Sequence, residues 1–391
     1  MKILFVNQNM KMGGIANSLY NLILELKNSK HDIELLLFDP YVDDKFIDLQ
    51  KDIKINTVFP LGFLYINLKT GWVNLTFVNF IKLIFYKTTA FVFGKNKLRL
   101  KLIKKTFIIK NYDVSISFSN DIPINNTLVG CNDFVLKSVK SKNTIAWIHN
   151  DLDRLGMNED YLTTTYLDFD KIVNVSLFCK KRFETLVPKY TNKSYLVHNY
   201  IDFTKINKKA LEFLPFTKKT ITFVTVARIA NNQKRIDRII KIVKRLKENN
   251  HNFKWYVVGD GPDRKTLTKE VIQNNLESHL VFLGFKKNPY PYIKNADCFV
   301  LTSKYEAQGM VLSEALALKT PIITTNFPAA FEFVQDTVFG KIVDNTTQGL
   351  FDALEDVLVN PKQLLFYKNE IQNKYSKLDN SSLYEFENLI Y

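Results

Sequence analysis

The sequence predicts an α/β chain of two doubly wound, Rossmann-like domains, and three observations carry that reading. First, the region around Leu301 to Thr325 reads as β-loop-α-β. A buried strand, Cys298 to Leu301, enters a polar turn with Glu306 and Gly309; an apolar-periodic helix follows over Val311 to Leu318, then a second buried strand over Pro321 to Thr325. Second, the chain opens as βαβ: strand Lys2 to Val6, a Gly13-Gly14 turn, helix Leu19 to Leu26 and strand His31 to Phe38. Third, 391 residues at 46% hydrophobic suffice for two cores, and the polar, lysine-rich run Thr204 to Lys219 with Pro215 lies between them.

The expected domains are therefore residues 1–203, a linker at 204–219, residues 220–372, and a last helix at 373–391. In the first domain, Tyr112 to Phe118, Thr144 to Ile148, Lys171 to Ser176 and Tyr195 to His198 read as further strands. In the second, strands are expected at Thr220 to Val226, Lys254 to Val258 and Leu280 to Leu283, with a helix at Ile236 to Leu246. Phe339 to Val343 reads as a short strand or turn, and Gly349 to Val359 as a helix.

Composition narrows the function classes. No run of roughly eighteen apolar residues is present, so no spanning helix is expected, and the amino terminus shows no secretory signal. Cys131, Cys179 and Cys298 are few, far apart and odd in number, which suits a reduced cytoplasmic compartment without a structural metal. The net charge of +15 asks for an anionic partner, whether nucleic acid, membrane surface or phosphorylated ligand. No nucleic-acid-binding module is recognisable.

The charge is concentrated. Residues 53–112 hold eleven Lys or Arg and no Asp or Glu, interleaved with aromatics including Phe63, Trp72, Phe85, Phe91 and Phe93. Lys97, Lys101, Lys104 and Lys105 recur at helical spacing, with Leu100, Ile103 and Phe107 on another face. That pattern predicts an interfacial helix on anionic lipid, because a merely solvated face mixes both signs.

Around Glu306 the residues suggest an anion site. Gly309 allows close backbone approach, the following helix start offers N–H groups, and Glu306 and Glu314 can both face one bound molecule. Arg228 and Lys234 flank a polar turn between strand and helix, which is the charge a diphosphate needs. His149 ends a buried strand in Ala146-Trp147-Ile148-His149-Asn150-Asp151. Asp151-Leu152-Asp153 has the D-x-D spacing of metal-dependent sugar transferases but reads here as loop, near the acceptor.

Taken together, E-x7-E with G-M-V-L-S-E-A inside it, R-x5-K at Arg228 and Lys234, and G-D-G-P at Gly259 resemble the retaining GT-B glycosyltransferases of family 4, the glycosyl transferases group 1. The resemblance is strong from Val224 to Glu332, moderate at Gly13 to Leu26 and at His149 to Asp202, and absent from about Asp39 to Asp113. Tyr200 stands where the family usually has glycine.

The resemblance implies two Rossmann-like domains facing a cleft, the last helix crossing back to the first, and metal-independent transfer from a nucleotide sugar, expected to be a UDP-sugar. It implies that Gly13 and Gly14 approach the diphosphate and sugar, that His149 faces the sugar, and that Arg228 and Lys234 hold the diphosphate. It further implies that Gly259, Phe285, Lys286, Gly309, Met310 and Val311 line the donor site, Glu306 touching sugar hydroxyls and Glu314 the ribose. The first domain is the acceptor side in this family. With the basic segment, the expected acceptor is a glycan or lipid-linked intermediate of a bacterial surface polysaccharide, met by a peripheral protein on the inner membrane face. The alternatives are a sugar-nucleotide epimerase of the same fold and a non-catalytic partner subunit of a transferase.

Overall fold

The computed structural model describes residues 1–11, 13–27, 29–39, 42–43, 46–65, 77–106, 108–121, 123, 130–217, 219–334, 336–375 and 381–391. Trp72 and Phe107, noted above, lie outside them. The chain divides into two compact units: residues 1–200 with 382–391, and residues 201–381.

The first unit is a seven-stranded parallel sheet in the order β3-β2-β1-β4-β5-β6-β7. Its strands are β1 (Lys2–Asn7), β2 (Asp32–Leu37), β3 (Lys54–Thr57), β4 (Ile108–Ser117), β5 (Val139–Ile148), β6 (Lys171–Asn174) and β7 (Ser194–Leu196). The second unit is a six-stranded parallel sheet, β10-β9-β8-β11-β12-β13. It is built from β8 (Ile221–Val226), β9 (Phe253–Val258), β10 (Leu280–Gly284), β11 (Cys298–Leu301), β12 (Ile322–Thr325) and β13 (Gly340–Val343). Helices cover both faces of a parallel sheet, so its strands read as unbroken apolar runs. In the second unit, Phe223, Cys298, Val300 and Ile323 enter one core while Val224, Phe299, Leu301 and Ile322 enter the other. Helix Asp237–Glu248 packs Ile239, Ile242, Val243 and Leu246 on the first face; helix Met310–Ala317 packs Leu312, Ala315 and Leu316 on the second.

Strand order reverses between β1 and β4 in one sheet and between β8 and β11 in the other. In open α/β sheets ligands bind outside the carboxyl ends of the strands at such a switch. The loops that leave β8 and β11 carry Arg228, Lys234, Glu306 and Gly309; the loop that leaves β1 carries Gly13.

Two boundaries differ from the sequence reading. The stretch read as linker begins with a helix, Phe203–Lys209, whose first turn is capped by Asp202 accepting from the Lys205 N–H at 2.8 Å. The division at 372 falls inside helix Lys362–Lys374, where Leu364, Tyr367 and Ile371 keep one buried stripe going. The last helix, Ser381–Ile390, packs into the first unit from Ser382 onward. Phe386 stacks on Phe5 and Trp147, each at 6.2 Å, and Glu385 and Glu387 meet His198 and His31 at 3.0 and 3.1 Å.

Candidate active site

In the second unit, the loops after β8 and β11 are tied together by one carboxylate. Glu306 is buried and ion-paired with Lys234. Its Oε1 also accepts from the Ser303 hydroxyl at 2.7 Å, and its Oε2 from Gln233 at 3.2 Å. The Lys234 carbonyl takes the Thr302 hydroxyl at 2.6 Å, and the Lys304 N–H reaches the Gln233 carbonyl at 2.7 Å. Behind this loop lies a buried guanidinium. Arg238 donates to Asn345 Oδ1 at 2.7 Å and to the Asn345 carbonyl at 2.8 Å, and Asn345 donates to the Lys304 carbonyl at 2.9 Å. Lys234 and Glu306 are thus held in place by a braced loop. Arg228, by contrast, is exposed, and its side chain makes no hydrogen bond or ion pair among the described residues. An anion arriving at this edge meets one held cation and one exposed cation.

Gly309 takes the left-handed conformation, φ +80°, at the start of helix Met310–Ala317. A side chain there is strained, although a Cβ would meet only ordinary contacts with Leu312 and Phe327 at 3.5 Å. The turn aims the first N–H groups of the helix, including those of Met310 and Val311, out of its end without intrahelical partners. Glu314 lies one turn further on and is hydrogen-bonded to the Tyr290 hydroxyl. Burial first, and the Glu314 carboxylate second, push that hydroxyl far above the usual phenol range.

The glycines of the strand-end loops do different work. A Cβ on Gly259 would stand 1.9 Å from the Ala227 carbonyl oxygen, and one on Gly261 would stand 2.2 Å from that of Ile229. These two glycines let the loop after β9 lie against the loop that carries Arg228. The Ile229 N–H bonds to the Asp260 carbonyl at 3.0 Å across the same approach. At Gly13 and Gly14, chain neighbours aside, nothing among the described residues crowds a Cβ, the nearest atom being 3.9 Å away, and Gly13 is extended. What glycine supplies there is uncovered backbone. Phe285 is exposed and Lys286 half-buried just after β10.

In the first unit His149 follows β5 and is buried. Its ring lies 4.5 Å from that of Phe118, its backbone N–H donates to Asn120 Oδ1 at 3.1 Å, and the Phe118 backbone bonds to the imidazole. Burial lowers its pKa to about 3, so the ring is neutral at physiological pH. Its Nε2 is buried without a hydrogen-bond partner among the described residues. Asp151 and Asp153 are structural: Asp151 accepts from the N–H groups of Asp153 and Arg154, and Asp153 forms a two-oxygen pair with Arg182. Among the described residues, no three His, Cys, Asp or Glu side chains gather as a metal-holding group. Tyr200, in the family's glycine position, is buried and bonds to Glu25 at 2.9 Å.

Lys97, Lys101, Lys104 and Lys105 are exposed along helix Lys95–Lys105. The apolar side of that helix is not. Leu102 and Ile103 are part of the core and Arg99 pairs with Asp133 beside them, so the helix offers lipid its lysines and no apolar face. That corrects the amphipathic reading of this segment.

Sequence reasoning missed Gln233, Ser303, Arg238, Asn345 and Tyr290. Arg238 had a signal, a cation inside the apolar stripe of Ile239, Ile242 and Leu246. Asn345 and Tyr290 are distant in sequence from what they hold and had none.

The family model described as glycosyl transferases group 1 matches residues 207–376. That stretch is a glycosyl transferases group 1 domain. It contains the whole arrangement around Lys234 and Glu306. An uncharacterised glycosyltransferase of Methanocaldococcus jannaschii is 25% identical over 244 residues, 58% of this chain and 60% of its own. The N-acetylgalactosamine-N,N'-diacetylbacillosaminyl-diphospho-undecaprenol 4-alpha-N-acetylgalactosaminyltransferase of Campylobacter jejuni is 27% identical over 241 residues, 60% of this chain and 63% of its own. The chain therefore spans about three fifths of the length of these two relatives. Among solved structures, a variant of S. aureus TarM in complex with Fondaparinux, alpha-GlcNAc-glycerol and UDP superposes with a TM-score of 0.73 at 14% identity, covering 100% of this chain and 99% of that one. The two parallel sheets with their helices are the GT-B fold.

Proposed function

We propose that this chain is a retaining, metal-independent glycosyltransferase. It moves a sugar from a UDP-sugar to a hydroxyl of a lipid-linked or surface-polysaccharide intermediate at the inner face of the cell membrane. The observation that carries the reading is the convergence of Lys234 and Glu306, with Arg228 and the Gly309 helix start on the same strand edge, inside the glycosyl transferases group 1 domain. Two comparisons support the finer points. The Campylobacter relative is named for transfer to a diphospho-undecaprenol-linked glycan, and the S. aureus structure holds UDP.

Leaving-group departure builds negative charge on the diphosphate. Lys234 and Arg228 balance it, and the Met310 and Val311 N–H groups add donors that need no rearrangement. Glu306 holds Lys234 in position and offers an acceptor to the sugar hydroxyls. In the first unit, the bare backbone at Gly13 and Gly14 admits the phosphate and sugar, and the unpartnered Nε2 of neutral His149 accepts from a sugar hydroxyl. Radiolabelled UDP-sugars incubated with the protein and a membrane extract test the reading. Label must move into a lipid-extractable or polymeric product; a new UDP-sugar with no acceptor labelled identifies an epimerase, and no turnover at all identifies a partner subunit.

A further inference from the structure

Helix Phe77–Phe93 is mostly apolar, with Asn79, Lys82, Lys87, Thr88 and Thr89 as its polar residues, and its apolar residues lie on more sides than the fold uses. Leu83 packs with Phe63 and Tyr86, while Tyr86 and Ala90 lie against the main core of the first unit. The opposite side carries Val78, Ile81, Ile84, Phe85 and Val92, all exposed, and the helix end presents Phe91 at 91% exposure. Lys82 is exposed at the edge of this side, Lys87 donates to the Leu64 carbonyl at 3.3 Å, and the two threonine hydroxyls turn back onto the helix. Thr88 donates to the carbonyls of Ile84 and Phe85 at 3.0 and 2.9 Å, and Thr89 donates to the Phe85 carbonyl at 2.7 Å. Hydroxyls satisfied by their own backbone suit a helix surface that leaves water. No helix of the described residues is long and apolar enough to cross a membrane. Directly after Gly94, helix Lys95–Lys105 presents its exposed lysines.

We infer that these two helices form one lipid-docking surface. The exposed side of helix Phe77–Phe93 enters the acyl region, and Lys97, Lys101, Lys104 and Lys105 bind anionic headgroups. The inference rests on the membrane part of the proposed function and names the surface that serves it. Charge decides between occupants. Residues 53–112 hold eleven cations and no anion, so a second copy would bring like charge against like charge, whereas an anionic bilayer is complementary.

The test uses the full chain, with no nucleotide sugar present. Co-sedimentation compares phosphatidylglycerol-containing vesicles with pure phosphatidylcholine. Wild-type protein should bind the anionic vesicles, and binding should weaken between roughly 0.1 M and 0.5 M salt. The variant Ile81→Ser/Phe85→Ser should keep its melting temperature and bind about tenfold or more weakly. A fluorophore on Phe85→Cys should shift to the blue on adding vesicles; Cys131, Cys179 and Cys298 are buried and escape labelling. Unchanged vesicle binding in the double variant overturns the inference. So does indifference of the wild-type protein to anionic vesicles at low salt, or a wild-type dimer that the double variant dissolves with vesicle binding intact. Transfer to a water-soluble acceptor is assayed separately. Its failure with vesicle binding intact sinks the transferase reading and leaves the docking surface; the converse result sinks the docking surface alone.

Discussion

Lys234 and Glu306 are ion-paired across the loops that leave β8 and β11, two neighbouring strands at the switch point of the second sheet. Each needs the other: Glu306 is buried, and the Lys234 side chain is only 17% exposed. A diphosphate at this edge therefore meets an ammonium already held in place, and Glu306 keeps Ser303 and Gln233 as donors while it shares that ammonium.

The two cations should separate stability from turnover. Lys234→Ala leaves a buried carboxylate without its counter-ion and should cost about 1–3 kcal/mol of stability. Arg228→Ala removes an exposed side chain and should stay within about 0.5 kcal/mol of wild type. Both should lower turnover roughly a hundredfold or more, as loss of a charge-stabilising donor does. Adding Glu306→Gln to Lys234→Ala should recover stability and not activity. Thermal melts and initial rates on the same preparations check all three; wild-type turnover in either single variant removes the diphosphate assignment.

Glycines should sort by cause. Gly259→Ala drives a Cβ to 1.9 Å from a backbone oxygen, so the loop that carries Arg228 must move; a loss of about 3 kcal/mol is expected. Gly13→Ala and Gly14→Ala have room and should leave the melting temperature unchanged. They should still lower kcat/KM by roughly tenfold or more if the bare backbone is where phosphate and sugar approach. Unchanged kinetics at both positions would show that the turn is only a turn.

Much of this was legible in sequence because parallel strands buried on both faces leave unbroken apolar runs, as at Cys298–Leu301 and Ile322–Thr325. Charged residues at two strand ends were legible one loop at a time, and the structure pairs Lys234, after β8, with Glu306, after β11. Residues that act at a distance were not. Asn345 braces the Glu306 loop from beyond β13, and no local pattern marks it. Edge strand β3 is four residues long and half exposed, so it carries neither apolar run nor clean alternation. In the basic segment the charge pattern suggested lipid, but the apolar side it was paired with, at Ile103, belongs to the core. Periodicity shows that Leu102 and Ile103 share a side with other apolar residues and cannot say that the core has already taken that side.

His149 should act as a neutral hydrogen-bonding group. Burial lowers its pKa to about 3, so between that value and the ordinary 6.5 the unfolded chain takes up a proton that the folded chain refuses. The stability it contributes is present above the unfolded pKa and is lost as pH falls below about 6.5, with a slope that His149→Gln should remove. The pH profile of turnover should show no step near 6.5 that disappears with His149. If the imidazole serves the sugar, His149→Ala should cut turnover while leaving UDP affinity within a few-fold; isothermal titration with UDP checks this, and a large loss of UDP affinity would move His149 to the nucleotide.

Stereochemistry and metal dependence test the mechanism most directly. An inverting transferase needs a base opposite the leaving group to deprotonate the acceptor. His149 is the one histidine offered for that place, and burial, which outweighs the opposing hydrogen bond to the Phe118 backbone, makes it a poor proton carrier. A departing diphosphate oxygen can take the acceptor proton itself when the acceptor attacks from the leaving-group side, and that geometry retains the anomeric configuration. If Lys234 and Arg228 supply the positive charge a divalent ion gives elsewhere, chelation should leave the reaction running. The expected result is an α-linked product from an α-linked UDP-sugar in the presence of EDTA, read from the anomeric coupling constant by NMR. A β-linked product overturns the retaining geometry, and an absolute requirement for a divalent metal overturns the role given to the two cations.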